Sequence, residues 1–491
     1  MGAFTRSEDF LRGTLREDPF GMMVESVARE GDRMVVQTTG AVFEIDCARG
    51  QVRISQRIGK ERPVATLHAA PMDGKTPFQS LRVEEQTPGS VVLGNPDQRG
   101  IIQINGDSLF SLSCASEEWM TLRTEFSPAF CSHADGHSMY MDDLGGITVH
   151  PWRDRGLPTA FPPKPQGVSS TENGRFVDVV RIEPGEELWL SVAPAREFDW
   201  QESFKSIYWH RGDGTEFWTE GDQALPWTPE TAWPDDEAFL RGIAKDYDVL
   251  HLQAECALWQ NWNLGYMPRF PDRAKRCLET AHHLGLKVVV YASPFYFYAG
   301  TEFESRDFSV PEWSRDWWRC GNYHGDNWER YVEAIRRLLA GYDVDGIYFD
   351  GSFLLNLPNT YKMTRRIRSL LGPERILYSH CTWSPPAYSK VLSCPAVNTY
   401  CDFLLRGEES AELYTDESHL RYCISDYRMG NSVSLLCNSG TKQSVTKDWI
   451  DRLIAANLRL PYDPGVGTEV WRYYLEKLRT LGEVKSPSWP A

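Results

Sequence analysis

The sequence has little positive charge for its length. Lys and Arg total 52 against 68 Asp and Glu, a formal charge of −16 over 491 residues. Nucleic acid and anionic membranes both require basic patches, so neither is expected as the main partner, and a solvated acidic surface accounts for the imbalance. No apolar run approaches the ~20 residues that span a bilayer. The opening MGAFTRSEDFLRGTLREDPF is charged throughout and lacks the apolar centre of a signal peptide. It begins Met-Gly, but Thr5 falls short of the position a myristoylation signal uses. The 11 cysteines are odd in number and include no CxxC pair, which suits a reducing compartment better than a disulfide framework. A cytoplasmic protein is expected.

Several chemical motifs are missing as well. There is no GxGxxG at a strand–helix junction, no GxxxxGK[ST], no HExxH and no GxSxG, so nucleotide cofactors, zincin chemistry and serine hydrolysis lack support. His133 and His137 fall in a Ser/Ala/Gly loop, and His282-His283 falls on a helix away from any strand tip. Both pairs read as solvated or packed histidines, and no metal is expected. No internal repeat or low-complexity segment is present.

What the chain does have is aromatic residues: 18 Trp, 21 Tyr and 22 Phe, 12% of the total. They fill cores by default, but a surplus in loops suits stacking on flat, partly apolar ligands such as sugar rings. Hydrophobic content of 41% and 24% charged residues are ordinary for a globular protein, and the length allows two or more domains. From residue 30 to about 195, short alternating runs such as RMVVQTTGAVFEID and GSVVLGN are separated by Gly, Pro and Asn turns. That pattern predicts an antiparallel β-sandwich, closed by a hairpin through Pro184-Gly185.

Beyond AREFDW the pattern changes to alternating strands and helices. DVLHLQA precedes FPDRAKRCLETAHHLGL, in which Pro271 suits a first helical turn and Gly285 a C-terminal cap. KVVVYASP, the helix 326–342, DVDGIYFDG, a helix near 360–371 and RILYSH follow. AVNTYCDF (396–403), CISDY (423–427) and SVSLLC (432–437) read as the last three strands, and KSIYWHRG as the first. The series predicts an α/β fold, a (β/α)₈ TIM-type barrel preceded by the sandwich. The expected domains are 1–198 (sandwich), 199–460 (barrel) and 461–491 (a helical extension on the barrel).

Catalytic groups of such barrels gather at the C-terminal ends of the strands. On this count Asp350 ends strand four, sharing a face with Gly346 and Tyr348, while Gly351 leaves room for a ligand or a sharp turn. Asp350 could alternatively cap the next helix or bind a neighbouring Arg. Two carboxylates at one mouth, ringed by aromatics, are what glycoside hydrolysis needs. Asp402, or Glu408 behind Arg406-Gly407, is the candidate second acid, although either could serve as a solvated or structural charge. Glu255, Trp259, Tyr296, Tyr348, His380, Trp383, Arg406 and Asp426 are the candidate substrate-binding residues. The ~30 residues from Tyr296 to Asn327, dense in aromatics, suggest a lid or a packed excursion.

FPDRAKRCLETAHHLGLKVVVYASP and VDGIYFDG resemble the corresponding segments of the retaining α-glycosidase superfamily that includes melibiase-type α-galactosidases and α-glucosidases. The resemblance covers about 250–440. It implies a barrel behind a β-sandwich, Asp350 as nucleophile, and Asp402 or Glu408 as acid/base. It departs from the family at LQAECALW, where relatives carry paired aspartates, and in the missing Lys before the nucleophile. The expected function is therefore a glycoside hydrolase acting on an α-linked oligosaccharide or glycoside, without a cofactor. Alternatives are a non-catalytic carbohydrate-binding protein, or a transglycosidase, sugar isomerase or lyase on the same scaffold. A homo-oligomer is compatible with the sequence.

Overall fold

A computed structural model of the protein describes residues 20–71, 74–97, 99–134, 137–142, 144–153, 169–172, 174–198, 206–211, 236–253, 267–268, 270–293, 296–298, 309–310, 318–321, 328–350, 357–380, 395–408, 430–434, 444–463 and 465–482. From Val24 to Ala193 these form two eight-stranded antiparallel sheets. Alternation builds the outer one: Ala41–Asp46, AVFEID, buries every second residue. Its apolar set, including Val36, Phe43 and Ile54, packs on Leu112, Leu190 and other residues of the second sheet.

The middle of that second sheet is buried on both faces. Ser90–Gly94, Gly100–Asn105 and Leu109–Cys114 are buried along their whole lengths, and on the far side Leu109 and Trp189 join an apolar cluster with residues of later helices such as Tyr361 and Val397. The expected hairpin through Pro184-Gly185 does not form. Arg175–Ile182 pairs within the outer sheet, whereas Glu186–Ala193 pairs within the inner one. The second strand, EELWLSVA, is apolar on both faces and goes to the layer where both faces are covered.

Eight strands then lie in chain order in one wholly parallel sheet. They are β1 (Tyr208–Arg211), β2 (Val249–Leu252), β3 (Lys287–Tyr291), β4 (Gly346–Phe349), β5 (Ile376–His380), β6 (Phe403–Glu408), β7 (Gly430–Ser434) and β8 (Leu458–Arg459). Helices α1 (Asp236–Ile243), α2 (Pro271–His283), α3 (Trp328–Gly341), α4 (Leu357–Leu371), α5 (Pro395–Asn398), α6 (Lys447–Ala455) and α7 (Thr468–Thr480) punctuate it. Parallel neighbours require such crossovers. The sheet is strongly curled. Tyr208 of β1 stacks on Phe403 of β6 with ring centroids 5.6 Å apart, and Arg459 of β8 lies 4.6 Å from the Tyr208 ring. Arg459 also donates to the Ser206 carbonyl just before β1, so the first and last strands approach each other. A ladder joining β8 to β1 is not among the pairings of the described residues.

Three sequence expectations shift here. Residues 395–398 form α5, so the sixth strand begins only at Phe403. Gly430–Ser434 is the seventh strand and Leu458–Arg459 the eighth, while CISDY lies outside the described residues. The short run AVNTYCDF has no period of its own, and its buried helical turn cannot be distinguished from a strand by apolarity. The Tyr296–Asn327 segment contains a three-stranded sheet of Tyr296–Tyr298, Trp318–Gly321 and Ser309–Val310.

Local signals worked well at α2. Pro271 occupies its first turn, and Gly285, at φ +80°, ends it with Leu286 N–H bonded to Ala281 at 2.9 Å. A repeated device anchors the N-terminal ends of the strands. Asp248, before β2, accepts from Ile207 N–H at 2.7 Å; Asp345, before β4, from Val288 N–H at 2.7 Å; Asp402, before β6, from Leu377 N–H at 2.8 Å. Each carboxylate therefore fastens one strand's start to its neighbour. His282, one of the histidines considered for metal, donates from Nε2 to Asp345 at 2.8 Å. No metal-holding group of three His, Cys, Asp or Glu occurs among the described residues, and no helix there is long and apolar enough to cross a membrane.

Candidate active site

Strand alternation divides the parallel sheet into two packing layers. Leu250, Val288, Ile347, Phe349, Leu377 and Leu404 face the helices. Tyr208, Val289, Tyr291, Tyr348, Tyr378 and Phe403 pack together on the concave side. This interior is aromatic and polar where branched aliphatics usually dominate. His251 of β2 is buried in it, edge-on to Tyr348 at 4.7 Å. Tyr348 in turn packs on Tyr378 at 4.8 Å and lies parallel to His380 at 6.1 Å. Towards the N-terminal ends, burial pushes the Tyr208 hydroxyl up to about 12, opposed by the adjacent Arg459 guanidinium. Gly346 admits no side chain, since a Cβ there would meet the Ile376 carbonyl at 2.4 Å.

Asp350 follows β4 at the C-terminal edge and is on the Tyr348 side by alternation. Its side chain retains 17% exposure. Tyr291 Oη donates to Oδ2 at 2.6 Å, and His380 Nδ1 lies 2.6 Å from Oδ1. Facing a carboxylate, which only accepts, Nδ1 is the donor. The Ser293 hydroxyl donates to the Asp350 carbonyl at 3.1 Å, tying the end of β3 to the exit of β4. Asp350 thus joins two inward side chains from the strands on either side. Among the described residues its carboxylate is held by these two donors, and neither a helix cap nor an Arg partner is found there.

Asp402 is elsewhere. It precedes β6, accepting from Arg368 and from Leu377 N–H near the start of β5. His380, the partner of Asp350, is three residues further along that strand, about 10 Å at the rise of a parallel strand. That exceeds the ~5–5.5 Å of a retaining carboxylate pair. The structure therefore does not bring Asp402 to Asp350, because the sixth strand starts later than its apolarity suggested. Glu408 ends β6 on the same edge as Asp350. Its backbone pairs with Ser434 after the β6–β7 ladder slips between Leu405 and Glu408. Such bulges commonly re-aim a side chain at a strand end.

Of the other expected residues, Tyr348 and His380 are in the cluster. Tyr296 and Arg406 are placed by their backbones, at the start of the three-stranded sheet and within β6. Glu255, Trp259, Trp383 and Asp426 lie outside the described residues. Sequence reasoning missed Tyr291 and His251. Applying to KVVVY and VLHL the alternation used for Asp350 would have placed both on the inward face.

No protein-family model matches the chain, and no curated protein matches it. Solved structures are similar at low scores. A GH36 alpha-galactosidase from Geobacillus stearothermophilus, in complex with 1-deoxygalactonojirimycin, is 11% identical over 93% of this chain and 70% of that one, with a TM-score of 0.43. A GH31 dextranase from Flavobacterium johnsoniae, complexed with glucose, is 9% identical over 94% and 68%, at 0.44. The galactosidase domain of an alpha-galactosidase-sucrose kinase is 10% identical over 93% and 86%, at 0.45. At these scores none of the likenesses carries an argument about this chain.

Proposed function

We propose that the protein is a retaining glycoside hydrolase acting on an α-linked sugar, its parallel sheet closing into a (β/α)₈ barrel behind the sandwich. The observation that supports this best is Asp350: a partly exposed carboxylate at the C-terminal edge of β4, with both oxygens held by donors from β3 and β5. Fixed donors hold a carboxylate in one orientation, so that it can be aimed at a single carbon. Asp350 attacks the anomeric carbon as the glycosidic C–O bond breaks, and Glu408 gives its proton to the departing oxygen. Water, deprotonated by Glu408, then displaces the sugar from Asp350. The α linkage is supported by the resemblance of the third and fourth strand segments to α-glycosidases.

Asp350→Asn is expected to lower turnover across a panel of aryl glycosides by more than ~10³-fold. With azide, Asp350→Gly should yield a glycosyl azide of inverted anomeric configuration and Glu408→Ala one of retained configuration. An Asp350→Asn enzyme with wild-type turnover sinks the assignment.

The short bond to His380 also favours a second reading. A carboxylate that accepts Nδ1–H holds an imidazole with Nε2 as its basic atom. That arrangement suits a sugar isomerase or lyase that removes a carbon-bound proton. Incorporation of solvent deuterium at a sugar carbon, followed by NMR, identifies it.

A further inference from the structure

We propose that His380 is a positioning residue that sets the balance between the two steps of turnover, by holding the charge that returns to Asp350 when its bond to the sugar breaks. The inference rests on Asp350 being the nucleophile. It follows from the geometry of one contact: Nδ1 of a nearly fully buried imidazole, on the neighbouring strand, 2.6 Å from Oδ1. The ring belongs to β5 and lies parallel to Tyr348, so packing fixes its direction. Two-carboxylate hydrolysis needs no such histidine.

In the first step an Asp350 oxygen bonds to the anomeric carbon, the glycosidic C–O bond breaks, and the leaving oxygen takes a proton from the acid. In the second, water bonds to that carbon and gives its proton to the same acid, now a base. The bond to Asp350 breaks and its electron pair returns to the carboxylate. A hydrogen bond from His380 is stronger to the carboxylate than to the ester between the steps. It therefore restrains attack in the first step and speeds departure in the second. Without it the ester should form readily and persist.

The test compares wild type, His380→Phe and His380→Asn on the aryl glycoside that wild type turns over fastest. The Phe variant keeps a ring against Tyr348 without a donor, and Asn Nδ2 replaces the lost Nδ1–H. His380→Phe is expected to lose ~10-fold or more in kcat, the value of one charge-assisted hydrogen bond. KM should fall further than kcat, so that kcat/KM is kept or raised now that the first step is no longer restrained, and the intact mass during turnover should rise by one glycosyl unit. His380→Asn should restore kcat and remove the added mass. If His380→Phe does not fold, His380→Gln, whose amide reaches the Nε2 position, takes its place with the same expectations. Equal losses in kcat and kcat/KM without a covalent adduct overturn the proposal and leave His380 a structural role. Wild-type turnover in Asp350→Asn overturns the nucleophile assignment and this proposal together.

Discussion

Asp350 accepts from a tyrosine and a histidine, whereas Asp402 accepts from an arginine and a backbone amide, and the two should respond to substitution in opposite ways. Arg368 is fully buried, so Asp402→Ala leaves a cation without its counter-charge at a cost of about 3 kcal/mol. Its midpoint in urea should fall accordingly while turnover per folded molecule is kept. Loss of turnover without loss of stability would reinstate Asp402 as the acid. Cys131 gives a pH prediction. Burial pushes its thiol up to about 12 from 9.0. Below pH 9 folded and unfolded chains both hold the thiol, and stability is unaffected. Between 9 and 12 the unfolded chain ionises first, so this group's contribution to stability is lost as pH rises. Alkylation of native Cys131 near pH 8, read by peptide mass mapping, should be on the order of 10³-fold slower than in the unfolded chain.

At the scale of elements, three aspartates before alternate strands join β1 to β2, β3 to β4 and β5 to β6. A strand start in a curled parallel sheet has backbone donors that the ladder does not reach, and a carboxylate one residue before the next strand can accept them. Replacing Asp248 with Ala should leave the Ile207 amide without its acceptor and cost about 1–3 kcal/mol. Hydrogen exchange at Ile207 should accelerate well before global unfolding, and unchanged protection there would show that the contact contributes nothing. These aspartates also explain why the sixth strand was hard to read. An acid beside an apolar run looks the same at either end of a strand, and only the partner strand's register decides which end it occupies.

Across the whole molecule, the sandwich rests on the unit that carries the candidate site. Asp107, fully buried in the turn after Gly100–Asn105, accepts from Tyr361 at 2.5 Å and Tyr400 at 2.9 Å. Arg365 is 3.5 Å from it, and Trp189 packs edge-on to Tyr361 at 5.6 Å. Tyr361 and Arg365 belong to α4, the crossover between β4 with Asp350 and β5 with His380. Asp107→Ala strips that guanidinium of its charge partner and should cost about 3–5 kcal/mol. Calorimetry should then resolve the sandwich and the parallel sheet as separate transitions if this seam couples them, and one undivided transition would place the coupling elsewhere.

Sequence alone determined whatever depends on neighbours along the chain. Alternation marked the sandwich strands, Pro271 and Gly285 bounded α2, and the apolar GIYF before Asp350 placed an acid at a strand's end. Tertiary structure decided what depends on which strand lies alongside. It split Arg175–Ile182 from Glu186–Ala193, moved Asp402 to the far edge, and brought Tyr291 and His380, 59 and 30 residues away, onto the oxygens of Asp350. The physical reason is that backbone propensity and hydrophobic period act within a few residues, whereas hydrogen-bonding partners are set by sheet register, which only the folded chain establishes.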